Sequence, residues 1–390
     1  MHGIFYGGAT RSLQLMLKSL QNHNIKKVVI TKSIGAKEIA NSIKQETILL
    51  KRIYIPTISN NQVSFESYEK AFNRISKWNY EYFLETIKKN EIDILHINSS
   101  VFAHIPRIVK EKISNVKIIL HARELIPKYD DGKLQKYIIE EITSFVDKII
   151  CISDNEYEYF KHTNKAVIIP NPFDFSTLST IAPELRKKYN INSKVILIGM
   201  LSHFSEQKGH LDFLKALLEM RKKNIKNEFK FVIIGIKLSP FWKKLIKKIV
   251  LPNNYEDRVI NFIRQNELSD SIILVPYTNN PLNYISDLDI VVRPSLQADP
   301  WGRDIIEAMA LSKPIVATGN SEFYIENNKT GFLVPPRDYK SLSEKIITLI
   351  NNPELRIQMG EYGYKKVKKM CDINSFGKEI YNIYQELISS

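Results

Sequence analysis

The sequence predicts an α/β protein of two doubly wound, parallel-sheet domains, and three observations carry that expectation. Runs rich in Ile and Val recur roughly every 20 to 40 residues along the 390-residue chain, and the stretches between them carry apolar residues at helical spacing. The rhythm breaks once, at IPNPFD (169–174), and then restarts. Continuous apolar strands alternating with amphipathic helices mean a parallel sheet covered on both faces.

In order, the first half reads as strands at VVIT (28–31), IDILHI (92–97), KIILH (117–121), KIICIS (148–153) and AVIIP (166–170). A helix opens just after Gly7 and Gly8, with Leu13, Met16, Leu17 and Leu20 on one face. A Gly-rich turn normally follows a first strand, yet only six residues precede Gly7, and His2 and Gly3 among them are poor strand formers. The first strand is therefore expected to be missing, or the natural start to lie upstream of Met1. Two prolines and an asparagine mark 171–189 as a linker between domains at 1–170 and 190–370. The second half reads as strands at KVILIGML (194–201), FKFVIIG (229–235), SIILV (271–275), DIVVR (289–293) and PIVAT (314–318), with a helix carrying Leu211, Leu214, Leu217 and Leu218. After Gly331 the pattern turns helical to the end, with Asp338 as an N-cap and a last helix from about 373 to 388.

Composition narrows the function. With 44% apolar residues the chain builds a core in each domain and is not disordered. Cys151 and Cys371, its 2 cysteines, exclude a disulfide scaffold and a zinc module and suit the reducing cytosol. No uncharged apolar run approaches the roughly 18 residues of a membrane span. Lys and Arg outnumber Asp and Glu by 56 to 42, a net charge of +14, which allows peripheral contact with an anionic membrane. Interleaved aromatic and basic platforms for nucleic acid are not evident.

The strongest constellation lies in SLQADPWGRDIIEAMALSKPIVAT (295–318). Asp299 and Glu307 stand seven residues apart, the first in a loop and the second on a helix that Trp301, Gly302 and Arg303 open. Free N–H groups of a first helical turn form an anion site, and Gly302 lets a ligand approach the backbone. Carboxylates on either side of a bound diphosphate can accept hydrogen bonds from sugar hydroxyls, which is the geometry a nucleotide sugar needs.

This stretch resembles the acidic-x7-acidic motif of the retaining glycosyltransferases of family 4. Further matches follow in order: GGATRSL (7–13) resembles that family's glycine loop, ILHAREL (119–125) its His-bearing strand end, and IPNPFD its interdomain turn. GMLSHFSEQKGH (199–210) resembles its phosphate-binding lysine loop, and SDLDIVVRPS (286–295) the strand before the acidic motif. The resemblance implies the GT-B fold, two Rossmann-like domains facing across a cleft, with the helix at 371–390 crossing back to the N-terminal domain. It implies transfer of a sugar, with retained configuration and without metal or other cofactor, from a nucleoside diphosphate sugar such as a UDP or GDP sugar. The implied acceptor is a glycan or lipid-linked species of cell-envelope polysaccharide synthesis, met in the cytoplasm or at the inner face of the membrane.

Carried over by residue, the resemblance makes Lys208 the diphosphate ligand, Glu307 the ribose ligand, and Asp299 a contact of the donor sugar. His121 would lie near the reacting carbon. Gly302, Arg303, Trp301, Gly7 and Gly8 would line the donor site. Arg123, Glu124 and Asn98 would shape the acceptor side, with His96 closing the previous strand. Many relatives carry Arg where this chain has Met200, so a second phosphate cation must come from elsewhere, with Arg293 and Arg303 as candidates, or be absent. Asp287 and Asp289 have the form of a metal-binding pair but match a helix-to-strand junction, and the lysine run at 241–250 reads as a solvated helix face. Alternative readings are another enzyme of the same fold, such as a sugar-nucleotide epimerase or a phosphorylase, and a basic nucleic-acid-binding protein.

Overall fold

The computed structural model describes residues 8–31, 46–49, 66, 80–126, 128, 130–236, 254–297, 299 and 301–390. Two compact units form: Met1–Pro172 with Cys371–Ser390, and Phe173–Met370. The expected loss of a first strand, Gly7, and the lysine run at 241–250 lie outside the described residues.

In the first unit, β1 (Val28–Thr31) pairs in parallel with β2 (Glu46–Leu49), and β3 (Ile94–Ile97), β4 (Lys117–Ala122), β5 (Lys148–Cys151) and β6 (Ala166–Ile168) form a parallel sheet in that order. Among the described residues up to Pro172, the helices of eight or more residues are α1 (Gly8–Ser19), α2 (Glu81–Lys89), α3 (Ile105–Lys112) and α4 (Lys133–Phe145). The predicted α1 face is buried: Leu13, Met16, Leu17 and Leu20 pack with Ile119, Ile150 and Phe376. Ile118, Leu120 and Ile149, with the other alternation of side chains, face α4 through Leu134, Ile138 and Ile142.

The second unit carries β7 (Ile196–Leu201), α5 (His210–Arg221), β8 (Phe229–Ile236), α6 (Tyr255–Gln265), β9 (Ile272–Pro276), β10 (Ile290–Arg293), α7 (Arg303–Ala310), β11 (Ile315–Thr318), β12 (Gly331–Val334), α8 (Tyr339–Asn351) and α9 (Pro353–Met370). Its sheet is parallel, in the order β12-β11-β10-β7-β8-β9. The chain winds outward from β7 in one direction and from β10 in the other, so these adjacent strands form the switch point where open α/β sheets bind ligands. Phe213 stacks on Phe231 at 4.4 Å in the core beneath. Asp338 caps α8 by accepting from the Ser341 N–H at 3.0 Å.

Three features depart from the sequence reading. GFLV (331–334), read as part of a helical tail, forms β12 at the sheet edge; its three apolar residues are too short a run to stand out without the partner β11. ETIL (46–49) likewise forms β2. The stretch 171–189 is structured from Phe173 onward: Phe173 is buried, Asp174 caps the turn at Phe175–Thr180, and Arg186 binds Asp287 and Asp289.

The last helix, α10 (Ile373–Ser389), belongs to the first unit and packs on α1. A Cβ at Gly377 would stand 2.6 Å from the Ser19 carbonyl oxygen, so the two backbones touch. Gly377→Val must push the helices apart, at a cost of about 1–3 kcal/mol. Urea unfolding should show that loss; an unchanged midpoint would mean that this contact does not hold the helix.

Candidate active site

Within the second unit, two loops leave neighbouring strands at the switch point and meet. The first runs from β7 to α5 and carries Lys208. Gly209 lies in the left-handed region at φ 72°, and a Cβ there would fall 1.7 Å from the Pro294 carbonyl oxygen, so only glycine lets this loop rest on the exit of β10. The Leu296 N–H and the Ser295 hydroxyl both donate to the Gln207 carbonyl, at 3.0 and 3.3 Å, which stitches the loops together. His210, fully buried between Phe204 and Tyr255, plugs the start of α5, and burial lowers its pKa to about 4. Lys208, Arg293, Ser295 and Asp304 line one pocket at this junction.

The second loop runs from β10 to α7. Arg293, at the end of β10, donates through Nε to the Asp299 carbonyl at 2.7 Å and through Nη2 to Asp299 Oδ2 at 2.8 Å. Its Nη1 bonds both carboxylate oxygens of Asp304 at 2.8 Å. Gly302, at φ 155°, passes so close that a Cβ would lie 2.8 Å from Arg293 Nη1 and 2.5 Å from Asp304 Oδ1. The acidic loop and the helix start are thus fastened to one guanidinium, whose charge two carboxylates neutralise. Asp299 Oδ1 is buried and finds no hydrogen-bond partner among the described residues. Arg303 Nε donates to Glu307 Oε1 at 3.1 Å along α7, and Trp301, just ahead of that helix, is buried.

Lys208 experiences the field of this cluster. The nearby Arg293 charge, then burial, lower its pKa, while Asp299 and Asp304 partly restore it. An ammonium held in that state is poised to accept an anion.

The first unit gathers polar side chains at the carboxyl ends of β3 and β4. His121 is fully buried, with Nδ1 3.0 Å from Arg123 Nη2 and 3.3 Å from His96 Nε2. Arg123 donates through Nε to Asn98 Oδ1 at 2.9 Å and through Nη1 to Asn171 Oδ1. Glu124 accepts from the Ser99 hydroxyl at 2.9 Å and from the Ser100 N–H at 3.2 Å; burial raises its pKa.

Lys208, Arg293, Asp299, Trp301, Gly302, Arg303 and Glu307 therefore lie together in one unit, and His96, Asn98, His121, Arg123 and Glu124 in the other. Gly8 begins α1 and is exposed. Asp287 and Asp289 accept from the Arg186 backbone N–H and guanidinium, and Asp289 also from the Leu197 N–H, tying 185–188 to the sheet. Sequence reasoning missed Asp304, which pairs with a strand residue eleven positions earlier, and Tyr384, whose hydroxyl lies 2.8 Å from His96 Nδ1. An acidic residue in the first turn of α7 was the only signal for Asp304, and Tyr384 offered none.

Two parallel-sheet α/β units of this kind make the GT-B fold. The crystal structure of Anabaena HepE in complex with UDP superposes with a TM-score of 0.75 at 16% identity, covering 98% of each chain. Two family models account for most of the sequence: "Glycosyltransferase Family 4" matches residues 6–177 and "Glycosyl transferases group 1" matches 182–366. The chain belongs to the family 4 type of glycosyltransferases. It is 25% identical over 270 residues to the capsular polysaccharide biosynthesis glycosyltransferase CapM of Staphylococcus aureus, covering 65% of each. It is 24% identical over 316 residues to the poly(ribitol-phosphate) alpha-N-acetylglucosaminyltransferase of S. aureus (strain COL), covering 78% of this chain and 57% of that one. The matches span 65%, 57% and 59% of the lengths of the first three curated relatives.

Proposed function

We propose that this glycosyltransferase moves a hexose from a nucleoside diphosphate sugar to a glycan or lipid-linked acceptor of the cell envelope, with retention and without a metal. The observation that carries the reading is the meeting of Lys208 with the start of α7 at the β7/β10 switch point, where an anion would find a cation and the positive end of a helix together. UDP in HepE, and the polysaccharide and wall-polymer names of the two staphylococcal relatives, support it.

Lys208 binds the diphosphate and stabilises the charge of the leaving nucleotide. Glu307 accepts from the ribose hydroxyls, and Asp299 Oδ1 from a hydroxyl of the sugar. Arg293, already bonded to two carboxylates, holds the acidic loop in place of binding phosphate. His121 meets a substrate oxygen, and Arg123, Glu124 and Asn98 frame the acceptor. No side chain is assigned as a covalent nucleophile; the leaving phosphate takes the acceptor proton, so the two-carboxylate hydrolase scheme does not apply. Asp287 and Asp289, occupied by Arg186, are not a cation site in this reading. A thermal-shift panel of UDP, GDP, ADP and TDP sugars tests it. One sugar at 100 times its Kd should stabilise by about 2.7 kcal/mol, and a panel with no shift would count against it.

Two further outcomes follow. Because Lys208 has a lowered pKa when empty and must be charged to hold diphosphate, affinity falls as pH rises through that lowered pKa, and in that pH range nucleotide binding takes up a proton. Calorimetry in buffers of different ionisation enthalpy measures the uptake; proton release would contradict the assignment. Among the described residues no helix is long and apolar enough to cross a membrane. The +14 charge should instead bring the protein to anionic vesicles at low salt and release it at high salt, and vesicles that sediment without it would remove the membrane step.

A further inference from the structure

The two histidines at the carboxyl ends of β3 and β4 are wired to the C-terminal helix. Tyr384, on α10, places its hydroxyl 2.8 Å from His96 Nδ1; His96 Nε2 lies 3.3 Å from His121 Nδ1; and Arg123 Nη2 lies 3.0 Å from that same Nδ1. We infer that Tyr384 and His96 are positioning residues which, with Arg123, lock His121 as a neutral ring whose Nε2–H is offered to a substrate oxygen.

The proton positions follow from what each group can do. A guanidinium only donates, so His121 Nδ1 is the acceptor and carries no proton; the neutral ring then holds its proton on Nε2. His96 meets the same lone pair and so donates from its own Nε2, which leaves its Nδ1 to accept from the Tyr384 hydroxyl. All three groups sit where charge is unfavourable. Burial, then the Arg123 charge, lower the His96 pKa to about 3 and press His121 the same way, and burial holds the Tyr384 phenol protonated. Phe376, also on α10, stacks against His121 with ring centroids 6.4 Å apart and fixes the plane of the ring.

One donor is left over. His121 is fully buried, and its Nε2 has no hydrogen-bond partner among the described residues. A buried donor without a partner is costly, and this one stands at the strand end where α/β sheets receive ligands. The C-terminal helix thereby acts on the site through a hydrogen-bond chain, although Tyr384 lies 288 positions from His96 in sequence.

This inference rests on the proposed sugar transfer, and its test separates the two. In the full-length protein labelled with 15N-histidine, long-range proton–nitrogen correlations should show both rings neutral, each with an unprotonated Nδ1 and a protonated Nε2. Tyr384→Phe should move the His96 ring nitrogens and lower kcat for sugar transfer about tenfold, the scale of one lost neutral hydrogen bond, at little change in donor KM. Tyr381→Phe, on the same helix but stacked on His23, should change neither. A His121 that is charged or protonated on Nδ1 overturns the relay, as does a Tyr384→Phe enzyme with normal kcat. A wild-type protein that binds no nucleotide sugar and transfers none overturns the proposed reaction and this positioning role together. The ring spectra then still decide the hydrogen-bond chain itself.

Discussion

Lys208→Ala is expected to lower kcat by at least about 100-fold, the usual scale for losing one electrostatic donor in a closed site. The effect should be large because the second cation is committed. Met200, in β7 ahead of the lysine loop, is buried in the core and offers no charge, while Arg293 is held by Asp299 and Asp304. With Lys208 gone, the leaving diphosphate loses the lysine that lines this pocket and keeps the positive end of α7. Met200→Arg should not rescue it, because that side chain belongs to the packed interior. Steady-state kinetics with one donor decide the matter. Near-normal kcat in Lys208→Ala, with loss of activity in Arg303→Ala, would move the phosphate clamp to Arg303.

Arg293→Ala should cost stability before it costs chemistry. Arg293, Asp299 and Asp304 have side-chain exposures of 9%, 14% and 13%, so removing the guanidinium strands two desolvated carboxylates. Breaking a buried pair from one side typically costs about 3–5 kcal/mol. For a unit of this size that is a fall in Tm of roughly 6–20 °C. Arg293→Lys should recover part of it, since an ammonium keeps the charge but not the fork that reaches both aspartates. Calorimetry on the three proteins measures the order. An Arg293→Ala protein with unchanged Tm but no nucleotide affinity would show that Arg293 binds phosphate after all.

The sequence revealed what repeats locally and missed what closes over long distances. Strands such as IILVP and IVVR are continuous apolar runs, and the α1 face recurs every three to four residues, so both could be read without a partner in view. GFLV could not, because four residues acquire strand identity only beside β11. At the candidate site, the spacing of Asp299 and Glu307 drew attention to their loop and helix, and Lys208 was proposed only through the resemblance of its loop to the family's lysine loop. The role of Arg293 was not: pairing with Asp304 depends on how sharply the chain turns at Gly302. The resemblance implied that the final helix returns to the N-terminal domain, and it does belong to the first unit, but residue spacing does not set Tyr384 against His96.

In the proposed reaction the β7/β10 switch point binds a nucleoside diphosphate sugar through Lys208, and the sugar is delivered with retained configuration. Incubation of the chelator-treated protein with an isotopically labelled nucleotide sugar and an envelope glycan acceptor tests it, with the anomeric coupling of the product read by NMR. The expected result is a labelled product with the anomeric configuration of the donor, formed equally well without divalent cations and lost in Lys208→Ala. An inverted product, or transfer that requires added cation and is indifferent to Lys208→Ala, would contradict it.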